Sequence, residues 1–313
     1  MQTVLDIVLP VFGLILAGYG IARTPLLDES GIKGLNNFVF YVAIPVLLFR
    51  SMSQLSIPDT IDPLMPVAYF SAAAIVFAGG LLAARAIFKL PLDEAAMMAM
   101  GCTYSNLILL GVPLAFLAFG DEGLLAILLI ISFHPLILIT LTTIIIELAR
   151  GHGERGGKVL LTSLGALLRN PVIIGMAAGL LWGVTGLGLP KPIANMADLL
   201  KAAASPTALF AVGASLAGFT IRGDAAQSAT MILVKLFVLP ALVWVMCTQV
   251  FGVGPLWTAV ATLSAAMPVG VNAFLLASAY NTYVARSATA VLISTALSVL
   301  TVGALIAFLG PVR

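Results

Sequence analysis

The stretch TYSNLILLGVPLAF, residues 103–116, decides how this chain is read. It lies in a long apolar run, yet it carries Ser105 beside Asn106, then Gly111 and Pro113. A plain membrane anchor gains nothing from these residues. Pro113 has no amide hydrogen, so the carbonyl four residues back loses its helical partner. Ser105 and Asn106 offer competing side-chain hydrogen bonds and tolerate a helix break. Broken backbone at mid-membrane persists only where it is buried in protein or lines a wet cavity. The stretch is therefore expected to be an interrupted helix facing the protein interior.

The rest of the chain fits that setting. Of its 313 residues 61% are hydrophobic and 9% charged, and the mean hydropathy is +1.14. A soluble domain of this length needs far more charge to cover its surface. Apolar runs of membrane-spanning length recur throughout. The expected fold class is an all-α polytopic membrane protein. A net charge of +2 gives no footing for nucleic acid. Cys102 and Cys247 both lie in apolar runs, which implies neither a disulfide framework nor a metal site. No cofactor is implied. The first apolar segment lacks a basic n-region and reads as a retained helix.

Charges, Gly and Pro punctuate ten segments, at about 3–22, 31–53, 63–88, 93–119, 122–149, 159–184, 192–219, 228–252, 255–280 and 284–310. The longest polar stretch, RGHGERGGK at 150–158, reads as a hinge between halves. Shifted by 161 residues, the chain matches itself in separate places. Pro10-Val11 falls on Pro171-Val172, Ala17-Gly18 on Ala178-Gly179, and AIPVLLF (43–49) on ASPTALF (204–210). The expected organisation is a five-helix repeat over 1–150 and a second over 159–313. Five is odd, so the second must enter the membrane from the opposite side. An inverted repeat is a transporter signature; duplication without transport is the plainer reading.

Lys and Arg set the orientation. One side holds Arg23, Lys33, Arg85, Lys89, Arg150, Arg155, Lys158, Arg222 and Arg286. The other holds Lys191 and Arg313, with Arg50 and Lys201 assigned to it less directly. The first side is expected to be cytoplasmic, with both termini facing away from it.

A second stretch answers the first. AAMPVGVNAFLLASAYN (265–281) carries Pro268, Gly270 and Asn272, and the offset sets Gly111 on Asn272. Paired Gly/Pro-interrupted helices in the two halves are the best sequence pointer to a substrate site. Simple proline kinks with an Asn joining helices are the plainer reading. Half-helix N-termini meeting at mid-membrane offer free amides and positive potential, which suits an anion such as a carboxylate. Ser105, Asn106 and the backbone of Met267, Pro268, Val269 and Gly270 are expected to form its anion end, with Asn272, Gly111 and Pro113 shaping the junction.

Together LNNFVFYVAIPVLLFRS (35–51), SNLILLGVPLA (105–115), RNPVIIGMAAGL (169–180), SPTALFAVGASLAG (205–218), VKLFVLPALVW (234–244) and AAMPVGVNAFLLASAYN resemble the auxin efflux carrier family, over essentially the whole chain. That family holds bacterial carriers, malonate carriers among them, and the plant PIN auxin exporters. The resemblance implies ten helices in two inverted five-helix repeats, with helices four and nine broken and crossing. It implies secondary transport of small organic anions across the bacterial inner membrane. It further implies an elevator motion of helices 3–5 and 8–10 against a scaffold of helices 1, 2, 6 and 7, which forms a homodimer. The plant pattern has Pro-Asn at the first break; here it is Ser105-Asn106. The long cytoplasmic loop of many PIN proteins is absent, so auxin itself is not implied.

Other residues have competing readings. Lys235 is a coupling or charge-compensating group, or it snorkels to the interface. Arg50 reads as snorkelling, and Asp6 as interfacial. His134 shuttles protons or bonds across helices. Asn170 caps a helix or meets substrate. Pro45 and Pro206 give the paired second and seventh helices a shared shape. No Asp or Glu falls mid-membrane in segments four, five, nine or ten, which argues against paired-carboxylate cation chemistry. The drive is then the membrane potential, or a proton through His134. A sodium-coupled symporter of the bile-acid type is the rival carrier reading. A channel or sensor is another. A hydrolase built on GASL (213–216) would need His134 beside Ser215.

Overall fold

A computed structural model describes residues 2–54, 62–150, 165 and 168–309, with side chains described from residue 9. The hinge beyond Arg150, the first residues of the sixth segment, Arg313 and the side chain of Asp6 lie outside the described residues. Helices make up nearly all of what is described: α1 (Gln2–Ala22), α2 (Glu29–Gln54), α3 (Leu64–Ala86), α4 (Leu92–Thr103), α5 (Leu107–Ala149), α6 (Pro171–Val184), α7 (Lys191–Leu216), α8 (Ala225–Val250), α9 (Pro255–Ala266), α10 (Val271–Ala279) and α11 (Val284–Leu309). Six of these are long and apolar enough to cross a membrane, namely α2, α3, α5, α7, α8 and α11.

The helix ends follow from the sequence. Asp28 caps α2, its Oδ1 accepting the Gly31 amide at 2.8 Å. Asn170 caps α6 in the same way, accepting the Val172 amide at 2.9 Å with Pro171 at the first helical position. Gly120 breaks α5 with φ 65°, a conformation that costs glycine little. The fourth sequence segment is thus α4 plus the first part of α5, and the ninth is α9 plus α10.

Proline acts differently from the sequence expectation. Pro113 lies past the interruption, inside α5. The amide just before it, on Val112, bonds to the Leu107 carbonyl in a wide turn over Leu107–Gly111. Before Pro45 the Ile44 amide bonds to Val39 O, and before Pro240 the Leu239 amide bonds to Val234 O. In each case one π-type turn absorbs the missing donor and the helix continues. The break itself sits at Tyr104–Asn106, where Ser105 and Asn106 are.

Packing is densest within two groups. In the first, α1 lies on α7, and α2 on α6 and α7. In the second, α3 packs on α4, α4 on α5, α9 on α5 and α8, and α11 on α8 and α10. Glycines set the closest approaches in the first group. A Cβ on Gly18 would collide with Phe210 O, and one on Gly179 would fall 2.5 Å from Phe49 O. The two contacts are reciprocal: the same 161-residue shift carries Gly18 to Gly179 and Phe49 to Phe210. It also carries Leu64, the start of α3, to Ala225, the start of α8.

Arg50 does not snorkel. Its guanidinium forms a forked pair with Asp198 of α7, at 2.6 and 2.9 Å. Lys235 does not snorkel either. It is fully buried, and its ammonium donates to the Ala265 carbonyl in the last turn of α9.

Candidate functional site: the junction of two interrupted helices

Between α4 and α5 the chain runs extended through Tyr104, Ser105 and Asn106; between α9 and α10 it does so through Met267–Gly270. The two stretches pair antiparallel at Ser105 and Val269. The Asn106 amide donates to Pro268 O at 3.0 Å, and the Gly270 amide donates to Tyr104 O at 2.9 Å. A Cβ on Gly270 would lie 2.7 Å from the Tyr104 ring and 2.9 Å from Ser105 O, so only glycine permits this approach. Ser105 and Val269 are 164 residues apart, not 161. The junction therefore has its own register, and Gly111 and Asn272 do not correspond there. Gly111 instead lets α5 fold close to itself, beside Ile127.

A cavity of about 700 Å³ opens onto this junction. Its inner wall includes Ser105, Asn106, His134, Gly270 and Asn272. Its opposite wall is α2, through Asn36, Asn37 and Phe40, with Asn170 and Ser215 nearby. Glu29 and Lys33, both exposed, stand at the mouth. The size suits a small molecule.

The side chains have distinct duties. Asn106 is 7% exposed, and its carboxamide has no partner among the described residues. Asn272 donates from Nδ2 to the Tyr104 hydroxyl at 2.8 Å, joining the two interruptions. Ser105 Oγ is buried beside the Tyr69 hydroxyl. Neither α5 nor α10 has a side chain capping its first amides. His134 Nε2 accepts the Ser105 amide at 3.0 Å, while Nδ1 faces the Tyr69 hydroxyl at 3.5 Å. Met267, Pro268 and Val269 are buried at the pairing of the two stretches and do not line the cavity. Pro113 and Lys235 do not line the cavity; Lys235 stands behind the second interruption. Ser215 bonds to Ala211 O and accepts from Asn36 Nδ2, an arrangement that leaves it no bond to His134.

The sequence reading missed α2 as a wall of the site. Its signal was present: two adjacent asparagines, Asn36 and Asn37, in an otherwise apolar segment. Tyr104 was missed because a tyrosine in an apolar run gives no sign of its partner.

An apolar helical body with a cavity of small-molecule size at paired helix interruptions defines a membrane transport protein. A family profile described as "Membrane transport protein" matches residues 3–306. The chain belongs to this family, the auxin efflux carriers, and is an integral membrane transporter. It is 30% identical to a Rhizobium meliloti protein named "Putative malonate transporter", over 98% of this chain and 96% of that one. It is 34% identical to an uncharacterized transporter of Methanocaldococcus jannaschii, over 38% of this chain and 40% of that one. A mouse protein named "Lysosomal cholesterol signaling protein" is 26% identical over 75% of this chain and 28% of its own length.

Proposed function

We propose that this protein is a secondary carrier of small organic carboxylates, malonate-like dicarboxylates first among them. The observation that carries the proposal is Asn106. The residue is 7% exposed, and its carboxamide, unpartnered among the described residues, faces a cavity between two uncapped helix N-termini. Such N-termini favour negative charge, and a carboxamide NH₂ adds a directed donor. Ser105 and the uncapped first turn of α10, from Gly270 to Asn272, complete the anion end; Pro268 has no amide hydrogen, and the Val269 and Gly270 amides are already bonded to Ser294 and Tyr104. Asn272 holds the two interruptions together through Tyr104, and Lys235 supports the second from behind. The name of the Rhizobium relative supports the dicarboxylate class.

The proposal includes two inverted five-helix repeats, 1–150 and 159–313, whose fourth and ninth helices are broken and cross. The reciprocal Gly18–Phe210 and Gly179–Phe49 contacts support that reading. In the elevator motion proposed with it, α1, α2, α6 and α7 form the static, dimer-forming scaffold, and α3–α5 with α8–α11 carry the substrate. Lys33 at the cavity mouth belongs to the Lys/Arg-rich side, so the proposed state is inward-open in the bacterial inner membrane, with both termini outside. The membrane potential, acting on the charge of the substrate, drives transport.

Purified protein screened by thermal shift against mono- and dicarboxylates tests the substrate class, because a ligand stabilises the state it binds. Malonate is expected to raise the melting temperature, and labelled malonate to enter proteoliposomes saturably under an imposed potential without sodium. No shift with any carboxylate would sink the substrate class; a strict need for sodium would sink the drive.

A further inference from the structure

We propose that His134 and Ser294 are a matched pair of positioning residues, each fixing one of the two helix interruptions by accepting the backbone amide at its centre. The geometry of the junction requires such a pair. In an antiparallel ladder, residues alternate between pairs that exchange hydrogen bonds and pairs whose amides point away. Ser105 and Val269 are flanked by the Asn106–Pro268 and Gly270–Tyr104 bonds, so their own amides point outward, away from each other. Both residues are buried, at 2% and 0% exposure. An amide left without an acceptor at that depth is costly.

Each amide finds one side-chain acceptor. Ser105 N–H donates to His134 Nε2 at 3.0 Å, and Val269 N–H donates to Ser294 Oγ at 3.0 Å. The donors are equivalent, and so are the helices that answer them. His134 lies in α5 beyond Gly120; Ser294 lies in α11, beyond the turn that follows α10. The 161-residue shift carries position 134 to 295, the neighbour of Ser294. One half uses an imidazole and the other a hydroxyl for the same task.

Both acceptors are themselves oriented. Ser294 donates its proton to Val291 O at 3.3 Å, which leaves its lone pairs for Val269. His134 must be unprotonated at Nε2 to accept, so its ring hydrogen sits on Nδ1, toward the Tyr69 hydroxyl. The ring is held against Tyr104, with centroids 4.6 Å apart. His134 is then part of the frame of the site, and the proton-shuttle reading loses its free nitrogen. The proposal rests on the reading of this junction as the binding site; the amide measurement below does not.

Four variants of the full chain provide the test: His134→Leu and Ser294→Ala remove the acceptor, while His134→Gln and Ser294→Thr keep one. Hydrogen exchange read by mass spectrometry on peptides spanning 103–107 and 267–271 reports each amide. His134→Leu is expected to speed exchange at the first stretch by about tenfold, the equivalent of about 1.4 kcal/mol. Ser294→Ala is expected to do the same at the second. His134→Gln and Ser294→Thr should restore slow exchange. Malonate affinity should fall and recover in parallel, with the melting temperature of the Gln and Thr variants near that of the wild type. Unchanged exchange at both stretches would overturn the proposal, as would failure of both conservative variants to restore it. If His134→Leu does not fold, exchange in the two Ser294 variants supports or overturns the proposal by the same criteria. If the wild type binds no malonate, the substrate class fails while the exchange result still stands.

Discussion

Lys201 Nζ stands 3.1 Å from Asp121 Oδ1, which ties α7 to α5 immediately after the Gly120 break. The same ammonium lies 5.0 Å from the centre of the Phe116 ring. In the proposed elevator α7 stays and α5 moves, so this pair must open in every cycle. Partly exposed ion pairs contribute about 0.2–1 kcal/mol, which shifts a two-state balance by up to about fivefold. Lys201→Gln is expected to reduce the inward-open population by that order. The measurement is the labelling rate of a cysteine at Ile32, in the cavity wall, with and without the substitution. The swapped pair Lys201→Asp with Asp121→Lys should restore the wild-type rate. An unchanged rate in Lys201→Gln would remove the pair from the state balance.

Gly270→Ala places a methyl group 2.7 Å from the Tyr104 ring and 2.9 Å from Ser105 O. The backbone pairing at Ser105 and Val269 leaves little room to retreat. Overpacking of this kind costs about 1–3 kcal/mol. The expected outcome is a lowered melting temperature together with weakened ligand binding. Gly254→Ala is the control, since its methyl group would meet Trp257 at an ordinary 3.7 Å. Equal melting temperatures for the two variants would contradict the crowding seen at Gly270.

The sequence pointed to the two interrupted stretches for a physical reason. Polar and helix-breaking residues in an apolar run are costly unless something uses them, so Ser105, Asn106, Pro268 and Gly270 stand out. Which residue makes the break is a matter of local geometry. Pro113 was the natural suspect, yet one wide turn at Leu107–Gly111 absorbs it. The register of the junction was hidden because the two breaks sit 164 residues apart while the surrounding helices keep a shift of 161. Long-range partners were also out of reach. Nothing near Arg50 in the chain points to Asp198, and nothing near Ser105 points to His134. Lys235 shows the limit from the other side. Its charge was conspicuous, but only the fold decides between snorkelling and a bond to Ala265.

The orientation proposal rests on charge asymmetry and has a direct test. Lys33 and Lys191 are both exposed and are assigned to opposite sides. The native Cys102 and Cys247 are buried, so they compete little for an aqueous reagent. A membrane-impermeant thiol reagent on intact cells should label Lys191→Cys and leave Lys33→Cys unlabelled until the cells are opened. The reverse pattern would invert the topology and turn the cavity outward.

Asn106→Ala separates recognition from structure. The Asn106 carboxamide has no protein partner among the described residues, so its removal breaks no side-chain bond there. Its backbone amide still reaches Pro268 O, and its carbonyl still accepts from Gly111. Stability should therefore change little. Binding should change much. A hydrogen bond to a charged group contributes roughly 1.5–3 kcal/mol, and about 1.4 kcal/mol is tenfold in affinity. Asn106→Ala is expected to weaken malonate binding by about one to two orders of magnitude at a nearly unchanged melting temperature. Asn272→Ala should differ, because it deletes the bond to the Tyr104 hydroxyl and with it a tie between the two interruptions. It should lower the melting temperature as well as the affinity. Calorimetric titration and thermal denaturation on both purified variants give the comparison. If Asn106→Ala melts early and binds normally per folded molecule, Asn106 is structural and the anion site lies elsewhere in the cavity.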